Sequence, residues 1–189
     1  VKTKSDTRET IMSLAKAVVQ ARGYAGLSFR ELAKEAGVKN PSIHYHFPTK
    51  GDLGAAIARR YTEDGVAYLS DLLEQSDDPA WLMDQYAKIF RAALENDNRM
   101  CLCGIMSAEL DELPSEVRQE VDAFGAANVS WIEKVLELTD FAENSLARHE
   151  HAMAIYTAIE GAQLVARGLQ DIDVFDRAVR TYRITGLIP

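Results

Sequence analysis

Residues 28–50 read SFRELAKEAGVKNPSIHYHFPTK, and the punctuation of this stretch decides the fold of the N-terminal end. Ser28 followed by Glu31 is a capping-box pattern that opens a first helix. Leu32, Ala33 and Ala36 give that helix an apolar side, and Gly37 ends it, because a helix closes most easily on a residue that tolerates the left-handed conformation. Asn40 is then placed to cap a second helix, with Pro41 where a missing N–H does no harm. That helix holds Ser42, Ile43, His44, Tyr45, His46 and Phe47 before Pro48 stops it. Two helices joined at a Gly-containing corner form a helix-turn-helix, whose second helix enters the DNA major groove.

Leu32, Val38 and Ile43 are spaced to make the small core of this motif, with Ala33 at the close approach. The remainder of the second helix is almost wholly hydrogen-bonding: Asn40, Ser42, His44, Tyr45 and His46. Amide, hydroxyl and imidazole groups read base edges and phosphates. A solvated polar face would account for one such helix taken alone. The basic flanks Arg30, Lys39 and Lys50, added to the capping and the glycine corner, favour DNA. Upstream, Asp6 and Glu9 are placed to start a helix running to about Arg22. Its Ile11, Leu14, Ala15, Val18 and Val19 form one buried stripe, with Tyr24 and Leu27 tucked beneath.

Charge divides the chain in the same way. The net charge is −8. Residues 1–52 nevertheless carry nine Lys or Arg against five acids, which leaves 12 bases and 24 acids for the rest. A basic end and an acidic body suit a DNA reader with a separate regulatory body. Screening within about 8–10 Å keeps the acidic body from vetoing phosphate attraction.

Residues 7–53, ending in GVKNPSIHYHFPTKGDL, resemble the N-terminal domain of the TetR family of transcriptional regulators. The most specific part is Tyr45-His46-Phe47-Pro48-Thr49-Lys50-Gly51-Asp52-Leu53. The match by motif covers about a quarter of the 189 residues, and the rest follows the family by length and helical content. The resemblance implies a DNA-binding domain over 1–52 and a ligand-binding and dimerisation domain over 53–189. Arg30, Lys39, Asn40, Pro41, Ser42, His44, Tyr45 and His46 would meet double-stranded operator DNA, and Lys50 would hold a phosphate. Many relatives carry a small residue or glycine at the place of Pro41 and a tyrosine at that of His44, so the operator sequence does not follow from the motif. The resemblance further implies a homodimer on a palindromic operator, acting as a repressor released by a small-molecule effector.

The body reads as helical throughout, giving an all-α protein of about nine helices. Thr49 to Asp52 is a second capping box, opening a long helix to about Gln75 that would link reading head and body. Asp78-Pro79 opens an amphipathic helix to residue 95. Residues 100–113, MCLCGIMSAELDEL, are expected as one helix, and Pro114 begins another to about Leu138. Residues 145–169 and 172–186 supply the last two. Their small residues Ala152, Ala154, Ala158, Gly161, Ala162 and Ala166 permit close helix approach, either in an intramolecular core or, as the resemblance implies, in a four-helix dimer interface.

Most aromatic residues of the body are expected in its core. By resemblance, an effector pocket would draw on Trp81, Tyr86, Phe90, Cys103, Met106, Trp131, Tyr156 and Glu160. Cys101 and Cys103 give no disulfide framework and fit a reducing cytoplasm. Two apart on a helix, their side chains diverge, and small buried hydrophobes are the favoured reading over a thiolate sensor. His149 and His151 are also two apart, whereas helical metal pairs sit three or four apart, so no metal is assigned. No cofactor, no membrane segment and no enzymatic activity are expected. The alternatives are a cysteine-nucleophile enzyme, for which no supporting spacing exists, and a helical interaction module.

Overall fold

The computed structural model describes residues 4–139 and 145–189. Among them are nine α-helices, one short 3-10 turn and no strand. The helices are α1 (Lys4–Arg22), α2 (Phe29–Ala36), α3 (Asn40–His46), α4 (Lys50–Gln75), α5 (Pro79–Glu95), α6 (Leu102–Ser107), α7 (Ser115–Leu136), α8 (Ser145–Leu169) and α9 (Ile172–Ile184), with the 3-10 turn at Leu110–Glu112. They form two compact units with interleaved segments. Unit 1 is Val1–Thr62 with Leu102–Phe124, and unit 2 is Glu63–Cys101 with Gly125–Pro189. The boundary expected at 52/53 falls inside α4, which passes from unit 1 to unit 2 after Thr62.

In unit 1, α1 packs on α2 and α6, and α2 on α3. Ile11, Ala15, Val19, Leu32, Ile43, Phe47 and Leu53 are all buried in its core. Ser28 Oγ accepts from Glu31 N–H at 3.5 Å, and Gly37 closes α2 in the left-handed region at φ +70°. The second capping box is reciprocal: Asp52 N–H donates to Thr49 Oγ1 at 3.0 Å, and Thr49 N–H donates to Asp52 Oδ2 at 2.9 Å.

Two local expectations shift. Lys39, not Asn40, is the N-cap of α3, and it makes no side-chain cap; Asn40 and Pro41 form the first turn. The Asn40 amide is therefore not spent on the helix end. The run from Met100 to Leu113 is not one helix but α6 and the 3-10 turn. Ser107 Oγ donates back to the Cys103 carbonyl at 2.8 Å, and Glu109 N–H takes the carbonyl of Met106, one residue short of α-helical spacing. Back-bonding of this kind competes with helix continuation.

Unit 2 is held by α5, α8 and α9, which pack on one another in every pairing. Tyr86 is fully buried, stacks on Trp131 at 5.4 Å and 16°, and donates from its hydroxyl to Asn128 Oδ1 at 3.0 Å. Trp131 Nε1–H donates to the Leu69 carbonyl at 2.7 Å. The polar tips of these large rings are thus satisfied, as burial requires. On the α5–α9 seam, Arg91 forks onto both carboxylate oxygens of Asp176 at 2.8 and 3.1 Å, which raises its already high pKa. His149 Nδ1 lies 2.9 Å from Glu133 Oε1, and His151 Nε2 donates to the Leu187 carbonyl at 2.6 Å. Among the described residues no group of three His, Cys, Asp or Glu is placed to hold a metal, and no helix is long and apolar enough to cross a membrane.

Candidate functional site

A seven-residue helix cannot stand alone in water. In α3, Ile43 is the helix residue that is fully buried, and Phe47, just past its end, is buried with it. The other side chains of the helix lie at or near the surface. Lys39, Asn40, Pro41, His44 and Tyr45 are exposed, Ser42 and His46 half-buried, and Arg30 of α2 is exposed. Tyr45 is 64% exposed. Its ring meets that of His46 edge-on at 5.2 Å.

His44 is partly committed to the scaffold. Its ring sits edge-on to Phe29 at 5.0 Å, and Nδ1 lies 3.3 Å from the Pro48 carbonyl. A carbonyl only accepts, so the proton is on Nδ1, and Nε2 is the ring's remaining polar atom.

Lys50 stands apart from the α3 residues. Its Nζ lies 4.4 Å over the Tyr24 ring and donates to the Ala25 carbonyl at 3.4 Å. Burial lowers its pKa, while Glu109 and Glu112 nearby oppose that shift. With one N–H on the carbonyl, two remain for other acceptors. Tyr24 is itself pushed up to about 12, first by burial and then by the carboxylate of Glu116.

The turn between α1 and α2 is completed by a residue far along the chain. Glu109 accepts from the backbone N–H of Tyr24 and, at 3.3 Å, from that of Ala25. Gly23 allows this on two counts: its φ is +79°, and a Cβ there would lie 2.5 Å from both Glu109 oxygens. The acid thus fastens the segment 102–112 to the helix-turn-helix within unit 1. Glu109 was not foreseen from sequence, because it is 85 residues from its partner and surrounded by other acids. Replacing Glu109 with Ala is expected to destabilise this turn by about 1–2 kcal/mol, since charge-assisted hydrogen bonds exceed neutral ones. Amide hydrogen exchange at Tyr24 and Ala25 would read the loss directly; unchanged protection there would refute it.

The residues expected around an effector divide between the units. Tyr86, Phe90 and Trp131 come together in unit 2, with Tyr86 and Phe90 at 5.1 Å, and Trp81 is half-buried at the start of α5. Tyr156 and Glu160 lie one turn apart on α8. Cys103 and Met106 are buried on α6, in unit 1. Both cysteines are buried and unbridged. A groove of about 220 Å³ on unit 2 runs elsewhere, between α5 and α9, and is lined in part by Asp84, Arg91, Phe175 and Arg183.

Comparison with known proteins agrees with this geometry. Residues 11–57 match the family model described as bacterial regulatory proteins, tetR family. The chain is 24% identical over 194 residues to the HTH-type transcriptional repressor NemR of Escherichia coli K12, covering 94% of this chain and 92% of that protein. It is 27% identical over 165 residues to the HTH-type transcriptional regulator LmrA of Bacillus subtilis, covering 85% and 86%. The crystal structure of a TetR transcriptional regulator from Legionella pneumophila superposes with a TM-score of 0.88 at 27% identity, over 100% of this chain and 99% of that one. Reduced E. coli NemR shares the fold, with a TM-score of 0.82 at 22% identity over 97% and 98%. The chain thus carries a tetR-type helix-turn-helix domain over residues 11–57 and along its length resembles DNA-binding transcriptional regulators of the TetR family.

Proposed function

We infer that the chain is a homodimeric repressor that leaves a palindromic operator when a small molecule binds its body. The observation that carries the reading is α3, where one buried isoleucine supports a row of exposed and half-buried hydrogen-bonding side chains. Residues 1–52 read the DNA. Asn40, Ser42, His44, Tyr45 and His46 address base edges, Arg30, Lys39 and Lys50 address the phosphates, and Pro41 contributes van der Waals contact. Residues 53–189 bind the effector and dimerise.

One such helix reads too few base pairs to be selective, and a two-fold pair spaced about 34–36 Å apart reads enough. An exposed stripe on α8 supports pairing: Met153, Leu164, Val165 and Leu169 are 40–64% exposed, and Gly161 and Gly168 have open space where a Cβ would stand. Apolar side chains with glycines between them let a second helix approach closely. NemR, named a repressor, supports that sign of regulation. An effector with a differential affinity of a few kcal/mol for the two states would shift the population decisively.

Selection of bound sites from random duplex DNA tests the reading. A palindrome with half-site centres about one helical turn apart is expected. Weak binding without a shared sequence, falling steeply with salt, would reduce the interaction to phosphate attraction and defeat it. On the selected site, Tyr45→Ala is expected to weaken binding about tenfold or more, with little change on random DNA. Lys39→Ala is expected to weaken both alike and to lower the salt slope by about 1.

A further inference from the structure

Unit 2 contains a carboxylate whose two oxygens are withdrawn from solvent. Both side-chain oxygens of Glu160 are buried, and neither has a hydrogen-bond partner of ordinary geometry. Burial is the main influence on this group, and the two that offset it are the Cys101 thiol and the Tyr156 hydroxyl. Neither is a cation. A buried acid is ordinarily paired with a basic group or bonded to several donors, because removing a charge from water is costly.

The surroundings are built rather than accidental. Gln163, one turn further along α8 and fully buried, donates from Nε2 to the Phe90 carbonyl at 2.7 Å. Its Oε1 accepts from the Cys101 N–H at 3.0 Å. The backbone at Cys101 is thereby fixed to α8, beside Glu160. Facing Tyr156 from α7 is Gly125. A Cβ there would meet nothing nearer than Tyr156 Cε1 at 3.8 Å and its hydroxyl at 3.9 Å. A glycine inside a helix costs about 1 kcal/mol relative to alanine, and no backbone crowding explains this one. It leaves a slot the size of about one methyl group beside the hydroxyl.

We propose that Glu160, Tyr156 and Cys101, with the slot at Gly125, form the polar end of the effector site, and that the effector they take is an organic ammonium ion. The inference rests on the reading of unit 2 as effector-binding. An ammonium supplies what the site lacks: positive charge and two or three N–H donors for acceptors already in place. The Tyr156 ring adds an aromatic surface that also favours a cation. A carboxylate ligand would be repelled, and an alcohol would gain one neutral hydrogen bond. The ligand would act next to Cys101, whose following residue is the first of α6.

The test is calorimetric titration of the full-length chain with benzylamine, benzyl alcohol and benzoate, which share a ring and differ in the charge of the head group. Benzylamine is expected to bind about tenfold or more tighter than the alcohol, with benzoate weakest. In Glu160→Gln that preference is expected to collapse to about twofold or less, with a melting transition run in parallel to establish that the variant is folded. Gly125→Ala is expected to weaken benzylamine binding in a chain that still melts cooperatively. Equal affinity for amine and alcohol, absence of amine binding, an unchanged preference in Glu160→Gln, or unchanged affinity in Gly125→Ala would overturn the proposal. These titrations need no DNA. Failure of the regulator reading would show instead as absence of a shared sequence in the selection experiment.

Discussion

Gly54→Val is expected to destabilise the chain by about 3 kcal/mol, seen as a lower melting temperature and early loss of DNA binding on heating. Gly54 lies inside α4, where helix propensity alone would make almost any other residue an improvement. Alanine there would gain about 1 kcal/mol on that account. Packing outweighs the gain. A Cβ at residue 54 would stand 2.7 Å from Tyr24 Cε2 and 3.0 Å from Val117 Cγ2. Neither neighbour yields cheaply: Tyr24 is 3% exposed with the Lys50 ammonium over its face, and Val117 is fully buried. Gly54→Ala should therefore also destabilise, by about 1–2 kcal/mol after the propensity gain. A variant as stable as the wild type would show that Tyr24 moves freely, against the packing described.

Glu160→Gln is expected to act in the opposite direction, and only at higher pH. Burial raises the Glu160 pKa from an ordinary carboxyl value of 4.5 to about 7. The folded state therefore keeps a proton between these values that the unfolded state has lost. Stability accordingly falls as pH rises through this window, since the unfolded state binds fewer protons. The full cost above pH 7 is about 3 kcal/mol, because each pKa unit is worth about 1.4 kcal/mol. Glutamine keeps the shape and does not ionise. The two proteins should melt nearly together below about pH 4.5, and at pH 8 the variant should melt roughly 6–12 °C higher. Parallel melting curves across the range would mean that the carboxylate finds a partner in solution.

The helix-turn-helix was legible because each of its boundaries is written in local chemistry: Ser28 with Glu31, Gly37, Pro48, and Thr49 with Asp52. The N-cap of α3 moved by one residue, from Asn40 to Lys39, because proline is compatible with either of the first two helical positions. The stripe of α1 was legible from its spacing, although Leu14 and Val18 are only half-buried while Met12 is buried in the core. What lay beyond reading were features that depend on distant partners. The division of residues 100–113 follows from Ser107 turning back on its own helix and from Glu109 reaching Tyr24 and Ala25. Glu160 could be named as a candidate from sequence, but the withdrawal of its two oxygens from solvent is visible only with neighbouring helices in place. Cys103 and Met106 illustrate the same limit, since their placement in unit 1 follows from how the chain is shared between the units.

That sharing has a consequence for dissection. The chain crosses between its units after residues 62, 101 and 124, so the compact unit that holds α1, α2 and α3 is not made from the N-terminal segment alone. A fragment ending at Thr62 would keep every residue of α1, α2 and α3 but forfeit Glu109 from the Gly23 turn and Val117 from Gly54. It would also lose Phe124, whose ring lies 5.4 Å from that of Tyr61. Grafting this specificity onto another regulator therefore calls for two insertions, residues 1–62 and 102–124, transplanted together.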